Sequence, residues 1–571
     1  MSDNNSQPAQ SNPQIVPITS VGMVTNATIE QTVVDAYCNA PYLTKPEEEC
    51  GELLIQCKLQ RDIENATKPK GEKLKNKERL SPISVAKLLN THYRIAKIPY
   101  YPKEPNPALA VYQDSGEHEG VWKRIIDPVN DDNILRNIIV RYNPDANDKY
   151  SRDVFWHLSI LVETRSETIN ENITPFKNGI WYSDRRVLEP FSQHPELTFC
   201  SKNMTKLIEN APKVVITNPD GTIWELDSWM QSLTDDPEKV EMLYEVAQAV
   251  LRPQVPWNKT VWLKGPKGNG GKSTFLALLR NCVGEEYTDS IALEKFGENF
   301  ALENLPQKRV ILTDESDEGV YIDKIANLRA IITGDTVGMN RKFRTKIDKK
   351  WPGMMIFCMN HSLRVKTKSD SFLRRLLIIE LTKSFQGVER KYIKQKYLRR
   401  EDVKEYFVSR VIYGHPTIDT FSDAKCCEDA LAEYKEDNDN VVQFLNEHED
   451  MFAWDLVPFT FLYSCYKKWL EKVTCRSGDS TGGVSQRMFI ERVKSWAETS
   501  DLWYIDYGTS PNNPDKKVVN KTTTGHLMDA TEPLIVTYDL QDWRNPDYHG
   551  SDIDKICCPR KEGNYRGILR K

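Results

Sequence analysis

The chain has no pair of cysteines two residues apart, and none of its twelve cysteines is spaced with histidines as a zinc site requires. Reduced, mostly buried thiols are the reading, including the adjacent pairs Cys426-Cys427 and Cys557-Cys558. It also lacks any apolar run near the ~18 residues of a membrane span. The opening MSDNNSQPAQSNPQ has no apolar stretch of the kind a signal peptide carries, so the expectation is a cytoplasmic protein that does not enter a membrane. Excess charge of one sign is scarce too: 77 basic against 82 acidic residues leave a net charge of -5. That excludes a chain coated with nucleic acid over its whole surface, but not a local basic patch. No internal repeat is present.

What is there is length. At 571 residues the chain exceeds one core, and a prior of about 100 to 200 residues per domain predicts three or four. Residues 1 to about 20 are rich in Asn, Ser, Gln and Pro and read as a tail. Residues 28–65 show roughly helical spacing, and KPKGEKLKNKER at 68–79 reads as a basic linker rather than a nucleic-acid arm. Residues 81–228 mix helix and strand signals with turns at NPDANDKY and NPDGT. Two helices are predicted over 227–253, then alternating strand and helix to about 385, which implies a parallel sheet with crossover helices. Residues 386–440 are helical and charged, and 441–571 open with two amphipathic helices before Gly/Asn/Pro-rich turns.

The stretch VWLKGPKGNGGKSTFLALL, 261–279, is a buried strand, a glycine loop and a helix, the context in which backbone N–H groups and a helix N-terminus cradle phosphates. Gly265, Gly268, Asn269, Gly270, Gly271, Lys272, Ser273 and Thr274 are the nucleotide-binding candidates; Lys272 would reach the β and γ phosphates and Ser273 would hold Mg2+. Five residues separate Gly265 from Gly271, one more than usual, and Pro266 follows the first glycine.

KRVILTDESDEG, 308–319, ends an apolar strand in Asp314-Glu315, carboxylates suited to the metal shell and the attacking water. WPGMMIFCMNHSL, 351–363, ends another in Asn360, either a γ-phosphate contact or a turn cap. In SFLRRLLIIEL, 371–381, Arg374 and Arg375 precede a final strand; an arginine at a subunit boundary can act in a neighbour's transition state, and a surface ion pair is the plainer alternative. Between the acidic strand and Asn360, residues 341–350 hold six Lys/Arg and one acid, read as a β-hairpin with a basic tip.

Taken in order, GNGGKST, ILTDES, ITGDTVGMNRKFR, IFCMN and FLRRLLIIEL resemble the motif set of superfamily III helicases, within them the phage, plasmid and poxvirus primase-helicases; FKNGIWYSDRRVLEPFSQHPELTF and VVQFLNEH with VPFTFLYSCYKKWLEK resemble that family's flanking regions. The resemblance spans about residues 85 to 505. It implies a multidomain chain: a tail and N-terminal extension (1–80), an α+β domain (81–228), an α/β P-loop, AAA+-like ATPase core (229–400), a charged linker (401–440) and a C-terminal winged-helix domain (441–571). It further implies ATP and Mg2+ as cofactors, catalytic roles for Lys272, Asp314, Glu315, Asn360 and Arg375 (Arg374 second), and Ser273 with Asp314 at the metal. The same resemblance implies a hexamer around single-stranded DNA, moving 3′ to 5′, with replication proteins as further partners. Lys342, Arg344 and Lys346 take the hairpin's DNA contacts, Lys346 nearest the tip. The first 80 residues lack the paired aspartates of a polymerising primase, so helicase without primer synthesis is expected, as in the initiators of mobile islands. In the C-terminal region Arg487, Arg492 and Lys494 are the exposed candidates for origin double-stranded DNA, with a wing formed by LWYIDYG and LIVTYDL strands; a domain that binds protein is the other reading. A nucleotide-dependent scaffold that recruits replication proteins without unwinding stands as the alternative function.

Overall fold

The computed structural model describes residues 24–127, 134–265, 268–314, 321–322, 326–342, 344–360, 364–365, 370–437, 439–474, 483–510, 513–557 and 562–571. Glu315 lies outside the described residues.

Five strands form one parallel sheet: β1 (Thr260–Lys264), β2 (Thr288–Asp289), β3 (Val310–Thr313), β6 (Met354–Met359) and β7 (Leu376–Glu380), in the order β2-β3-β6-β1-β7. Between β3 and β6 in the chain lies the antiparallel hairpin of β4 (Thr336–Arg341) and β5 (Arg344–Lys350). A parallel sheet is covered on both faces, which is why its strands are near-continuous apolar runs rather than alternating ones. Along β1, Val261 and Leu263 face a core that includes Phe275 and Leu279 of helix α1 (Lys272–Val283) and Val246 of the helix Pro237–Leu251. Trp262, on the other face, meets Phe357, Tyr434 and Leu328 of α2 (Ala326–Ile332). The two helices predicted over 227–253 are present as Leu226–Ser232 and Pro237–Leu251, and three helices fill 391–437.

The region expected as one α+β domain divides among four cores, two of them the small clusters of Ala96, Ile98, Ala110 and Trp122 and of Ile180, Phe191 and Phe199. Helices Asn26–Asn39, Pro46–Thr67, Pro82–His92, Ile134–Tyr142 and Asp148–Leu161 share one, from Ile29 to Val162. From Phe176 and Trp181 through Met230, side chains enter the core of the parallel sheet instead. The helical spacing at 28–65 therefore belongs to a folded helical pair, Asn26–Asn39 on Pro82–His92 and Pro46–Thr67 on Ile134–Tyr142.

The C-terminal region has its own core. It runs α3 (Asn440–His448), β8 (Leu456–Pro458), α4 (Phe459–Thr474), α5 (Gln486–Thr499), β9 (Trp503–Tyr504) and β10 (Gly567–Arg570), with antiparallel strand order β8-β10-β9. Asp439 and Ser485 cap α3 and α5 by accepting from Val441 and Met488 N–H. Contrary to expectation, LIVTYDL is no strand: Leu534–Thr537 is a helical turn. Pro533 cannot donate to a ladder, and the fully buried Glu532 accepts from Leu534 N–H at 3.2 Å and Ala453 N–H at 2.8 Å, curling the segment back on the core. Among the adjacent cysteines, Cys426 Sγ lies within 4.8 Å of Asp236 and Glu238 ligand atoms, but the Glu238 oxygens already accept the backbone N–H of Lys425 and Cys426. Among the described residues no helix is long and apolar enough to cross a membrane.

Candidate active site

The strand order brings three sequence-distant ends together. β6 lies between β1, which leads into the glycine loop, and β3, which ends at Asp314. The carboxyl ends of β3, β6 and β1 therefore present Asp314, Asn360 and Gly265 side by side, the crevice where open α/β sheets bind ligands. Lys272 is buried at the start of α1 and its Nζ donates to Gly265 O at 3.0 Å and to Asn360 Oδ1 at 3.1 Å. Asp314 is half exposed, with Lys394 Nζ 3.8 Å away. Ser273 and Thr274 occupy the first turn of α1, both half-buried.

The loop's backbone explains its glycines. Gly271 caps α1 with φ 83°, a left-handed conformation that L side chains rarely adopt, and the cap has no side-chain bond. A Cβ there would stand 2.6 Å from Leu233 Cδ2, so the loop lies directly on Leu233, at the C-cap of the helix Leu226–Ser232. At Gly265 a Cβ would meet Lys272 Nζ at 2.6 Å. Asn269 is also left-handed, φ 59°, which Asn tolerates better than most residues. Gly268 is exposed and Gly270 buried.

A brace that the sequence did not disclose holds the upper loop. Phe385 N–H donates to Asn269 O at 3.0 Å, Ser384 Oγ donates to Gly268 O at 3.3 Å, and Asn269 Nδ2 donates to Glu389 Oε1 at 2.8 Å. These partners lie more than a hundred residues apart, so no local pattern could have signalled them. Just before the loop, burial favours the neutral form of Lys264, but Glu380 at 2.6 Å and Glu433 at 3.2 Å outweigh it and raise its pKa.

Arg375 stands elsewhere. β7 pairs Leu376 with Thr260 and Glu380 with Lys264, so Arg375 lies at the amino end of the sheet. Roughly 16 Å of strand separates its level from that of the loop. Its Nε donates to Ser371 O at 3.0 Å, whereas Arg374 is exposed and its carbonyl accepts from Lys259 Nζ at 2.6 Å. Burial, then the positive charges of Arg374 and Arg329, lowers the Arg375 pKa. Arg329, on α2, carries no motif signal in the sequence; it completes a cluster of three guanidinium groups at this end of the sheet.

The hairpin expected at 334–351 is present, but its tip lies elsewhere than at Lys346. Arg341 pairs with Arg344, so the turn falls at Lys342, and Lys346 sits two residues into β5 with its Nζ 3.0 Å from Asp348. The register of the strands, not the density of lysines, sets the turn. Lys342 N–H donates to Glu303 Oε1 at 2.9 Å, and Arg344 Nη2 is 3.9 Å from Asp127. Lys349 is buried: Glu167 accepts from it and from Arg124, each at 3.1 Å, and the two cations hold the Glu167 pKa down to about 2 against its burial.

Of the C-terminal candidates, Arg487 is exposed on α5. Arg492 pairs with Asp439 at 2.9 Å and Lys494 with Glu491 at 3.0 Å.

Residues 436–521 match the family described as Poxvirus D5 protein-like. That match spans VVQFLNEH and VPFTFLYSCYKKWLEK and bears out the resemblance of this part of the chain to the poxvirus primase-helicases among superfamily III helicases. Residues 263–375, from the loop strand to Arg375, match a family of unknown function, DUF5906. The chain is also similar to solved structures: the A form apo structure of the NrS-1 C-terminal region, at 14% identity over 77% of this chain and 99% of that one, TM-score 0.39; and JCV helicase bound to a thiazolopyridine acetamide, at 17% identity over 39% of this chain and 63% of that one, TM-score 0.25. Both likenesses are distant.

Proposed function

We propose that this chain is an ATP-dependent, hexameric DNA helicase and replication initiator that moves 3′ to 5′ on single-stranded DNA. The observation that carries this reading is the convergence of the glycine loop, Asp314 and Asn360 on three adjacent strand ends, with Lys272 and Asn360 in hydrogen-bond contact. The residues fit a nucleoside triphosphate with magnesium: a left-handed, glycine-built loop ahead of a helix N-terminus for phosphates, a hydroxyl at Ser273 and a carboxylate at Asp314 for the metal. Bound magnesium would neutralise charge developing on the β and γ oxygens. Lys272 would bind the same oxygens, giving up its contact with Gly265, and Asn360 would orient the attacking water. Glu315 is the proposed base for that water.

Arg375 cannot serve its own loop from the opposite end of the sheet, which supports its proposed role as a finger in a neighbour's site. On the cycle of hydrolysis, Lys342, Arg344 and Lys346 of the hairpin would grip the phosphate backbone. The helix–strand–helix–helix–strand order from Asn440 to Tyr504, followed by the antiparallel pair Tyr507–Ser510 and Asn513–Val519, supports a winged-helix reading, with Arg487, Arg492 and Lys494 as the proposed contacts to origin duplex. Particle mass and ATPase rate, each with and without single-stranded DNA, test the whole: a monomer inert to both nucleotide and DNA refutes it.

The scaffold alternative draws on one observation: the Arg344 and Lys346 side chains lie against Asp127 and Asp348 of their own chain. Strand displacement decides between the two, since a scaffold binds nucleotide and DNA yet releases no strand.

A further inference from the structure

At the amino end of the parallel sheet, opposite the glycine loop, a cavity of about 510 Å³ separates the sheet from two N-terminal strands, Ala108–Tyr112 and Trp122–Arg124. Such a volume falls in the range of small-molecule sites, about 300 to 1,000 Å³. Five cations line it, Lys123, Arg124, Lys308, Arg309 and Lys349, against two carboxylates, Glu167 and Glu286. The carboxylates are committed: Glu167 to Arg124 and Lys349, Glu286 to His118 at 3.4 Å.

Arg309 is the anomaly. It is 7% exposed, precedes β3, and makes no ion pair among the described residues. Its side chain has only long contacts: Nη1 to Ser201 O at 3.5 Å and Oγ at 3.4 Å, Nη2 to Leu251 O at 3.4 Å, while Nε has no hydrogen-bond partner among the described residues. Burial lowers its pKa to about 10, opposed by Tyr287 and by the charge of Glu167. A buried guanidinium with no direct ion pair is costly, and folded proteins usually supply one. Lys308 Nζ bonds only a carbonyl, Glu286 O at 2.8 Å, and Lys123 is exposed at the rim; neither has an ion-pair partner among the described residues. Val111, Val121, Ile169 and Phe199 give the remaining wall an apolar character.

We propose that this cavity binds a small organic phosphate of about nucleoside-monophosphate size, its phosphate on Arg309, Lys308 and Lys123 and its planar or apolar body against the Val111–Phe199 wall. Three cations without an ion pair among the described residues favour a dianion over a single carboxylate. The depth of Arg309 rules out a polynucleotide backbone. The site is separate from the glycine loop and independent of the helicase reading.

The test uses the full chain carrying Lys272→Ala, so that the loop cannot report. Calorimetric titration with adenosine monophosphate, ribose 5-phosphate and inorganic phosphate should give saturable binding of one organic phosphate per chain, at least tenfold tighter than inorganic phosphate. Arg309→Gln should weaken it tenfold or more, and Lys123→Glu likewise. A single-stranded oligonucleotide should not compete. Should Arg309→Gln fail to fold, Lys123→Glu at the exposed rim decides alone. Folded protein that binds neither organic phosphate, that binds inorganic phosphate equally well, or whose binding Lys123→Glu leaves unchanged would overturn the proposal.

Discussion

Lys272 and Asn360, 88 residues apart in the chain, share a hydrogen bond of 3.1 Å that joins the start of α1 to the end of β6. The contact joins the residue that would carry the phosphates to the one that would sense them. Asn360→Ala should leave nucleotide affinity within a few-fold of the parent but lower the hydrolysis rate by about 10² to 10³, the usual cost of one positioned donor. Equilibrium binding of a labelled nucleotide beside steady-state ATPase separates the two quantities.

Lys272→Ala and Arg375→Ala should each abolish hydrolysis, an arginine finger being worth about 10³ to 10⁵ in rate. Because the two side chains stand at opposite ends of the sheet, mixing the inactive variants should restore part of the rate through sites built from one intact half of each. ATPase against mixing ratio would rise to a maximum between the pure variants; a flat line at zero would show that each chain works alone.

In the hairpin, Lys342 at the turn should matter more than Lys346 in the strand. Either alanine variant should keep basal hydrolysis, and strand displacement should fall further in Lys342→Ala. If about six phosphates are held, affinity for single-stranded DNA should fall with salt on a logarithmic slope of about -4, and each lost lysine should flatten it by about 0.7. Fluorescence anisotropy over a salt series reads both.

In the C-terminal region, burial lifts Glu532 to a pKa of about 7 although three backbone N–H groups and Arg570 pull the other way. A carboxyl raised in the folded state stabilises while protonated: its contribution is complete below the unfolded value of 4.5 and is lost as pH rises through about 7. Measured against Glu532→Gln, which cannot ionise, the parent should lose about 3 kcal/mol between pH 4.5 and about pH 8. Denaturant unfolding of both proteins at the two pH values, followed by tryptophan fluorescence, checks the difference.

Four strands of the parallel sheet were legible because each is a largely apolar run, whereas the edge strand Thr288–Asp289 has two polar residues and no such signal. Asp314 and Asn360 could thus be assigned to strand ends from the sequence alone. The hairpin was legible in existence but not in register: lysine density draws the tip to Lys346, while Arg341 pairing with Arg344 moves the turn to Lys342. LIVTYDL carries β-branched residues suited to a strand, and tertiary contacts through Glu532 bend it into a helical turn. The brace at Asn269 and the cavity around Arg309 depend on contacts between distant segments, Glu389 with Asn269 and Ser201 with Arg309, and no spacing rule reaches that far.

The bond from Glu167 to both Arg124 and Lys349 yokes the basic hairpin to the N-terminal strands. Because the trio is largely shielded from water, prising it apart would leave a naked ion behind, a penalty of roughly 3 to 5 kcal/mol. If the hairpin moves in the proposed motor, β5 would carry with it the strand Trp122–Arg124 and the Tyr100 ring on which Arg124 and Lys349 both sit, rather than swing as a loose arm.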